Sequence, residues 1–124
     1  MTEATLDPAT LARLRDEIEV RIETRSPRGD VHRTIIWVVD PSGRVLIRSY
    51  RGADARWYRE AVHAGSASLI LKGSTIPVRV ESAVDPERVA ACSAELEHKY
   101  AGDPGTAAMV AEDVLDTTLE LHPA

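Results

Sequence analysis

The sequence predicts an α+β fold, a six-stranded antiparallel barrel or strongly curled sheet with helices packed outside it. Alternating apolar and polar residues mark six strands, and short turns join four of them into two hairpins. Two further segments begin with Asp7-Pro8 and Asp85-Pro86, each a capping carboxylate followed by a proline at the first helical position. Because strands joined by short turns pair antiparallel, a parallel α/β sheet is excluded.

The first helix and the first strand lie next to each other in the chain. Leu11 and Leu14 repeat at helical spacing, which predicts a helix over residues 8–16 that packs on the barrel. The segment IEVRIET then alternates apolar and charged side chains, so we expect a half-buried strand over residues 18–24. The loop SPRGD follows this strand.

The first hairpin comes next. VHRTIIWVV, residues 31–39, is β-branched and apolar on both faces, which predicts a central strand covered on each side. The sequence PSG makes the turn, and residues 44–50 form the returning strand. On this strand Val45 and Ile47 share one face, and Arg48 lies on the other.

A helix separates the first hairpin from the second. Asp54 is the expected N-cap of a helix over residues 54–63, and Gly65 is its expected C-terminal stop. The segments ASLILK and STIPVRVE, residues 67–72 and 75–82, then form the second hairpin.

The last third of the chain contains the longest helix. In the strand that precedes this helix, residues 75–82, Pro77 has no backbone N–H to donate. We therefore expect this strand at a sheet edge, or the proline at a position where no ladder bond forms. The helix covers residues 86–100, with Cys92 on its apolar face as a small core residue. We expect a short helical turn over residues 106–113 and a final alternating strand over residues 114–121.

Composition bounds the class of protein. The chain has 124 residues, 44% of them hydrophobic and 28% charged, which is typical of one globular domain spanning residues 1–124. A net charge of −5 offers no basic field for nucleic acid, and no apolar run approaches the length of a membrane span. The N-terminus lacks a secretory signal pattern and Cys92 is the only cysteine, so we expect a cytoplasmic protein.

Motifs of known catalytic chemistry are absent from the sequence. It has no phosphate-binding P-loop, no nucleophile elbow and no dinucleotide glycine fingerprint. The four histidines are scattered without the spacing of metal ligands, so no metal site is predicted. Glu95 and His98 are three residues apart on one helix, and we expect them on an exposed surface.

The stretch IRSYRGADARWYR, residues 47–59, is the candidate for ligand binding. It passes from a strand through a glycine-containing turn into a helix. Four of its residues are arginines: Arg48, Arg51, Arg56 and Arg59. Backbone N–H groups at a helix start, together with guanidinium groups, bind phosphate or carboxylate. Trp37 and Trp57 either complete a pocket for a flat ring or belong to the core, and the residues alone leave both alternatives open.

Several segments of the chain resemble the bacterial family DUF2255. In order, they are RTIIWVV, VLIRSYRG, RWYREAV, TIPVRVE, KYAGDPGTAAMV and DTTLEL. The resemblance covers about residues 17–122, and the family is placed with the flavin-binding split β-barrels, the pyridoxamine-phosphate-oxidase-like fold. SYRGADARWY also resembles the loop of deazaflavin-dependent nitroreductases. The chain departs from these groups in having one glycine in the loop, no proline before Trp57 and no lysine-rich phosphate strand.

The resemblance implies a six-stranded split barrel that forms a homodimer with two cofactor sites at the subunit interface. It implies that FMN or a deazaflavin is held by the end of a barrel strand, by the loop that follows and by a neighbouring strand. The matching positions in this chain are Arg33, Thr34, Trp37, Arg48, Ser49, Tyr50, Arg51, Gly52, Arg56, Trp57 and Tyr58.

Three functional hypotheses follow. The first is an oxidoreductase acting on a small molecule, in which FMN or a deazaflavin carries the hydride and no side chain has to act as catalyst. The second is a cofactor-free barrel that binds a small, partly apolar acid as a carrier, sensor or shape-directed catalyst. The third is a structural dimer whose vestigial pocket is filled by Trp57 and Tyr58. We adopt the first as the working hypothesis.

Overall fold

The computed structural model describes residues 6–17 and 20–124. Its helices are α1 (Pro8–Asp16), α2 (Arg56–Ala64), α3 (Pro86–Lys99) and α4 (Thr106–Met109), and its strands are β1 (Val20–Arg25), β2 (Val31–Ile36), β3 (Val38–Val39), β4 (Val45–Ile47), β5 (Ser66–Leu71), β6 (Ser74–Ser82) and β7 (Leu119–Pro123). The start of the first predicted strand, at residues 18 and 19, lies outside the described residues. None of the helices in the described ranges has the length and apolar character needed to cross a membrane.

The strands form one antiparallel sheet in the order β2-β1-β5-β6-β7-β4-β3. β2 and β3 stand at opposite ends of this order, although only Trp37 separates them in the chain. The stretch 31–39 therefore pairs first with β1 and then with β4, and the sheet curls into a nearly closed barrel. The predicted α+β barrel with flanking helices is confirmed. The described residues contain seven strands rather than six, because the chain leaves strand geometry at Trp37.

The prediction that residues 31–39 form one central strand covered on both faces is wrong for β2, whereas β3 is covered on both faces, because Val38 packs in the barrel cluster and Val39 in the cluster under α3. β2 lies at one edge of the sheet and β3 at the other. Val31 and Ile35, on the outer face of β2, are about half exposed, at 47% and 50%. The apolar residues of this outer face are therefore not explained by packing within one chain.

The prediction of a strand over residues 114–121 is correct only in its last part. Glu112–Thr117 is a 3₁₀ helix, and β7 begins at Leu119. The hydroxyl groups of Thr117 and Thr118 each donate to the carbonyl oxygen three residues earlier, at 2.7 Å. Such local side-chain bonds compete with a sheet ladder and stabilise the turn instead.

The helix after the first hairpin begins later than predicted, so the assignment of Asp54 as its N-cap is wrong. A 3₁₀ turn occupies Gly52–Asp54, and Ala55 precedes α2 without a side-chain capping bond. The C-terminal stop is confirmed, because Gly65 ends α2 in the left-handed conformation with φ of 69°.

Pro77 lies inside the sheet, in a strand that pairs on both sides. The amide of Val80 donates to the carbonyl oxygen of Gly65 at 2.9 Å, toward β5. Because amides alternate along a strand, the nitrogen of Pro77 is directed to the β7 side. Pairing with β7 ends at Val78, so the proline occupies a position where no ladder bond is made, as the second of the two alternatives predicted.

Side chains alternate along β4 between two apolar clusters. Val45 and Ile47 point into the barrel interior, and Leu46 packs under α3 beside Cys92. Cys92 is buried, as predicted, and burial raises the pKa of its thiol to about 11. Because Arg48 follows Leu46 with the period of two, its side chain is also directed toward α3.

Candidate functional site

Two adjoining pockets lie where β2, the end of β4 and the start of α2 meet. Ile35, Tyr50 and Trp57 line both pockets, so we treat them as one cleft. The smaller, here called the Trp37 pocket, has a volume of about 220 Å³ and the larger, here called the Arg51 pocket, about 720 Å³. The remaining lining residues are Ile36, Trp37, Arg48, Gly105 and Met109 in the Trp37 pocket, and Thr34, Arg51, Asp54, Ala55, Arg56 and Arg59 in the Arg51 pocket.

The polar wall of the Trp37 pocket is Arg48, whose side chain is 1% exposed. Its Nε donates to Thr118 Oγ1 at 2.9 Å, its Nη1 to Ser93 Oγ at 2.9 Å and to the Met109 carbonyl at 3.0 Å, and its Nη2 to the Val89 carbonyl at 3.1 Å. All four partners are uncharged. Among the ion pairs of the described residues, none includes Arg48.

The charge of Arg48 is therefore uncompensated. Burial lowers the pKa of its guanidinium, but arginine stays protonated at neutral pH. A guanidinium has five N–H donors, and the fifth, on Nη2, has no partner in the described part of the chain. Burying a cation without a counter-charge costs several kcal/mol. A ligand with negative charge or electron-rich oxygen atoms in the Trp37 pocket would offset part of that cost.

Each tryptophan is both a core residue and a wall of the cleft. Trp37 stacks on Tyr100 with ring centroids 3.9 Å apart and planes 4° from parallel, and it packs against the cluster under α3. Gly105 lets its own backbone approach the Trp37 ring closely, since a Cβ at this position would lie 3.4 Å from the indole. Trp57 is 6% exposed, belongs to the barrel cluster and lines both pockets. The two alternatives left open by the sequence are thus compatible.

Ser49 and Gly52 shape the loop without lining either pocket. The Ser49 hydroxyl donates to the Gly52 carbonyl at 2.7 Å, and the Ser49 amide donates to Thr117 Oγ1 at 3.0 Å. Gly52 has φ of 72°, a left-handed conformation in which glycine is favoured. Tyr58 also lines neither pocket, and its hydroxyl lies 3.5 Å from the Asp116 carbonyl oxygen. Tyr58 therefore does not fill the mouth of the cleft, as the vestigial-pocket hypothesis required.

Positive charge dominates the Arg51 pocket. Arg51, Arg56 and Arg59 are exposed, and within residues 6–17 and 20–124 none of them belongs to an ion pair. Asp54 supplies the pocket's one carboxylate. Unpaired guanidinium groups are the side chains best suited to bind a phosphate, because their N–H groups match its oxygen atoms.

Arg33 lies outside the cleft, unlike its neighbour Thr34. Its Nε donates to Glu23 Oε1 at 3.0 Å on the adjacent strand β1, and its side chain is 56% exposed. The bond to Glu23 holds the Arg33 side chain over β1, whereas Thr34, on the opposite face of β2, lines the Arg51 pocket. The structure thus brings together seven of the predicted positions: Thr34, Trp37, Arg48, Tyr50, Arg51, Arg56 and Trp57.

A hydrogen-bonded group that the sequence did not reveal ties α2 to β1 and β2. Nδ1 of His32 lies 3.1 Å from both carboxylate oxygens of Glu60, and Thr24 Oγ1 donates to one of them at 2.8 Å. Burial opposes ionisation of Glu60, but the bonds from Thr24 and His32 lower its pKa overall. The carboxylate is thus ionised and His32 Nδ1 is the donor. Thr24 and His32 are cross-strand partners, whereas the contact with Glu60 depends on how α2 packs.

One group of possible metal ligands occurs in the described part of the chain, away from the cleft. Glu81, Glu120 and His122 place ligand atoms within 4.8 Å of one another. Nη1 of Arg88 lies 2.8 Å from Glu81 and 3.0 Å from Glu120. The guanidinium already supplies the positive charge that a metal ion would bring, so the group is an ion-pair network that joins α3 to β6 and β7.

Comparison with known proteins gives a family and a fold. A family model described as "Uncharacterized protein conserved in bacteria (DUF2255)" matches residues 10–121. No curated protein matches the sequence.

Three solved structures illustrate the similarity of fold. The heme storage protein HutZ from Vibrio cholerae has a TM-score of 0.66 and 12% identity, over 97% of this chain and 91% of that one. An FMN-binding protein from Syntrophomonas wolfei has a TM-score of 0.58 and 15% identity, over 94% and 85%. An F420 reductase has a TM-score of 0.57 and 16% identity, over 91% of each chain. At these identities the likeness shows the fold alone.

Proposed function

Because the chain belongs to the DUF2255 family and shares its barrel fold with an FMN-binding protein and an F420 reductase, we propose that it is an oxidoreductase that binds FMN or a deazaflavin in the cleft. Its substrate would be a small molecule. When bound, the cofactor supplies the hydride chemistry, so the protein has to bind and orient it and exclude water.

The observation that carries this proposal is the pairing of two indoles with uncompensated guanidinium groups in one continuous cleft. Trp37 and Trp57 would hold the flat ring in the Trp37 pocket. Arg51 and Arg56 in the Arg51 pocket would bind the phosphate. Arg48 would face the electron-rich carbonyl edge of the ring, which offsets the cost of its buried charge. The donor set therefore fits a flat ring that carries a phosphate.

A heme storage protein also has this fold. Histidine is a common ligand of heme iron. The lining of the Trp37 and Arg51 pockets contains no histidine. Tyr50 and Met109 in the lining are of residue types that also ligate heme iron, so we propose the flavin-like ligand for its phosphate, which matches Arg51 and Arg56.

We propose further that the active form is a homodimer in which a second copy covers the cleft. Ile35 is 50% exposed and Tyr50 is 61% exposed, and both line the two pockets. A partner packed on these side chains would remove apolar surface from water and close the cleft around the ring. The outer face of β2, with its exposed Val31, would extend the same interface.

Titration with FMN and with riboflavin, which lacks the phosphate, tests the proposal. Both tryptophans line the cleft, so binding should quench intrinsic fluorescence with a saturable, micromolar response. Arg51→Gln combined with Arg56→Gln should weaken FMN binding about 100-fold, since each charge-assisted bond contributes roughly 1.5 kcal/mol at the low end. Riboflavin binding should be unchanged by the same substitutions.

The control is Arg44→Gln, which removes an equal charge from an exposed position in the first hairpin turn. Arg44→Gln should leave the binding of both ligands unchanged. If neither FMN nor a deazaflavin binds saturably, the oxidoreductase proposal fails. A protein that binds neither cofactor but binds small acids in the cleft, with amide shifts at Tyr50 and Gly105, would be the cofactor-free binding barrel.

A further inference from the structure

A third pocket lies between the turn that joins β1 to β2 and the outer side of α2. Its volume is about 500 Å³, and we call it the Arg25 pocket. The end of β1 contributes Arg25, the turn contributes Ser26 and Pro27, and α2 contributes Arg56, Arg59, Glu60, His63 and Ala64. Arg56 and Arg59 border both this pocket and the Arg51 pocket, whereas the turn residues belong to the Arg25 pocket alone.

The charge in this pocket is positive and unpaired. Arg25, Arg56 and Arg59 form no ion pair within the described parts of the chain. Glu60 is the one carboxylate in the lining, but Thr24 and His32 bind its oxygen atoms from the side of the sheet. Its side chain is only 8% exposed, and Arg56 contributes the smallest of the effects that set its pKa.

The pocket also has apolar walls. Pro27 and Ala64 present apolar surface on its two sides. The aliphatic stems of the arginines extend this surface while their charged ends stay in water. A bare inorganic anion would use only the charged ends, whereas an organic acid with an apolar body would use both features.

We propose that the Arg25 pocket is a separate binding site for a small organic carboxylate. The apolar body packs against Pro27 and Ala64, and the carboxylate accepts hydrogen bonds from the guanidinium groups of Arg25 and Arg59. Glu60 makes its hydrogen bonds to Thr24 and His32, and among the described residues it forms no ion pair with Arg25 or Arg59, so these two guanidinium groups are available to the ligand. The site does not depend on the cofactor proposed for the cleft.

The test is titration of the ¹⁵N-labelled protein with sodium benzoate at low salt, followed by amide chemical shifts. Benzoate should cause saturable shifts at Ser26 and Ala64, and benzyl alcohol, which has the same ring without the charge, should not. Arg25→Gln should weaken benzoate binding about fivefold or more, the size expected for one partly exposed charge-assisted contact. Arg28→Gln is the matched control, because it removes the same charge three residues later, in the turn after β1, but lies outside the lining.

Three results would overturn the proposal. They are the lack of a saturable shift, an equal effect of the two substitutions, and benzoate shifts that map to Tyr50 and Gly105 in the cleft. A separate outcome concerns the cofactor: Arg51→Gln should weaken FMN binding and leave benzoate binding unchanged, and Arg25→Gln should do the reverse. The two sites can therefore fail independently.

Discussion

Replacing Arg48 by methionine separates the effect of the buried charge on protein stability from its contribution to ligand binding. Methionine is flexible enough to fill the space of the arginine stem but has no charge. The variant loses four hydrogen bonds. Three of the acceptors, in Ser93, Met109 and Thr118, then lack this donor, at a cost of about 1 kcal/mol each. The Val89 carbonyl lies inside α3 and keeps its helical bond.

A second contribution has the opposite sign. The wild-type protein holds a guanidinium that is 1% exposed and has no carboxylate partner among the described residues. Removing an uncompensated buried cation restores several kcal/mol of stability. The two contributions nearly cancel, so the free energy of unfolding of Arg48→Met should stay within about 2 kcal/mol of wild type.

Urea denaturation without ligand measures the free energy of unfolding of the Arg48→Met variant. FMN titration of the folded variant measures how much Arg48 contributes to cofactor binding. FMN binding should weaken at least about tenfold, because the carbonyl edge of the ring loses a charged donor worth roughly 1.5 kcal/mol or more. Arg48→Lys keeps the charge but not the planar fork, so its FMN affinity should lie between the two. A stability loss above about 4 kcal/mol with unchanged FMN affinity would show that Arg48 is purely structural, and would refute the reasoning.

Two further predictions concern the ion-pair network and the dimer. Hydrogen bonds from Arg88 lower the pKa of Asp85, so this carboxyl contributes stability above its unfolded pKa of about 4 and loses it as pH falls through the lower folded value. Arg88→Met should cost about 3 kcal/mol at neutral pH by leaving the nearly buried Glu120 without this partner, and urea denaturation should show a smaller loss on acidification than in wild type. Ile35→Asp should convert the proposed homodimer to a monomer in light scattering. The first prediction would be contradicted if wild type and Arg88→Met lost the same stability on acidification. The second would be contradicted if the wild-type protein were a monomer.

Local patterns predicted most of the fold. The alternation of Val45, Leu46 and Ile47 placed Leu46 on the opposite face from the other two, and the structure has two different clusters on these faces. The second hairpin and the longest helix also follow from short-range signals, namely turn residues, a capping pair and an apolar stripe. These signals depend on contacts between residues a few positions apart, so tertiary packing does not change the secondary structure that they predict.

The failures arise where tertiary contacts decide local structure. Trp37 interrupts a continuous apolar run because closure of the barrel makes the two halves pair with different strands. The hydroxyl groups of Thr117 and Thr118 turn a strand-like sequence into a 3₁₀ helix. No periodicity in the sequence indicates either event.

The sequence predicted which residues belong to the candidate site better than it predicted the contacts that these residues make. The arginines of the loop could be recognised from their density around a strand-to-helix junction. That Arg48 is buried among uncharged acceptors depends on Thr118, which lies 70 positions away in the chain. The contact of His32 with Glu60, 28 positions apart, is equally invisible without the packing of α2 on the sheet.

The most direct test of the cofactor proposal is a crystal structure of the protein grown with FMN. We predict a phosphate within hydrogen-bond distance of Arg51 and Arg56, with the ring against Trp37 and Trp57 and its carbonyl edge toward Arg48. A ring bound elsewhere, or a phosphate remote from these arginines, would contradict the proposed function.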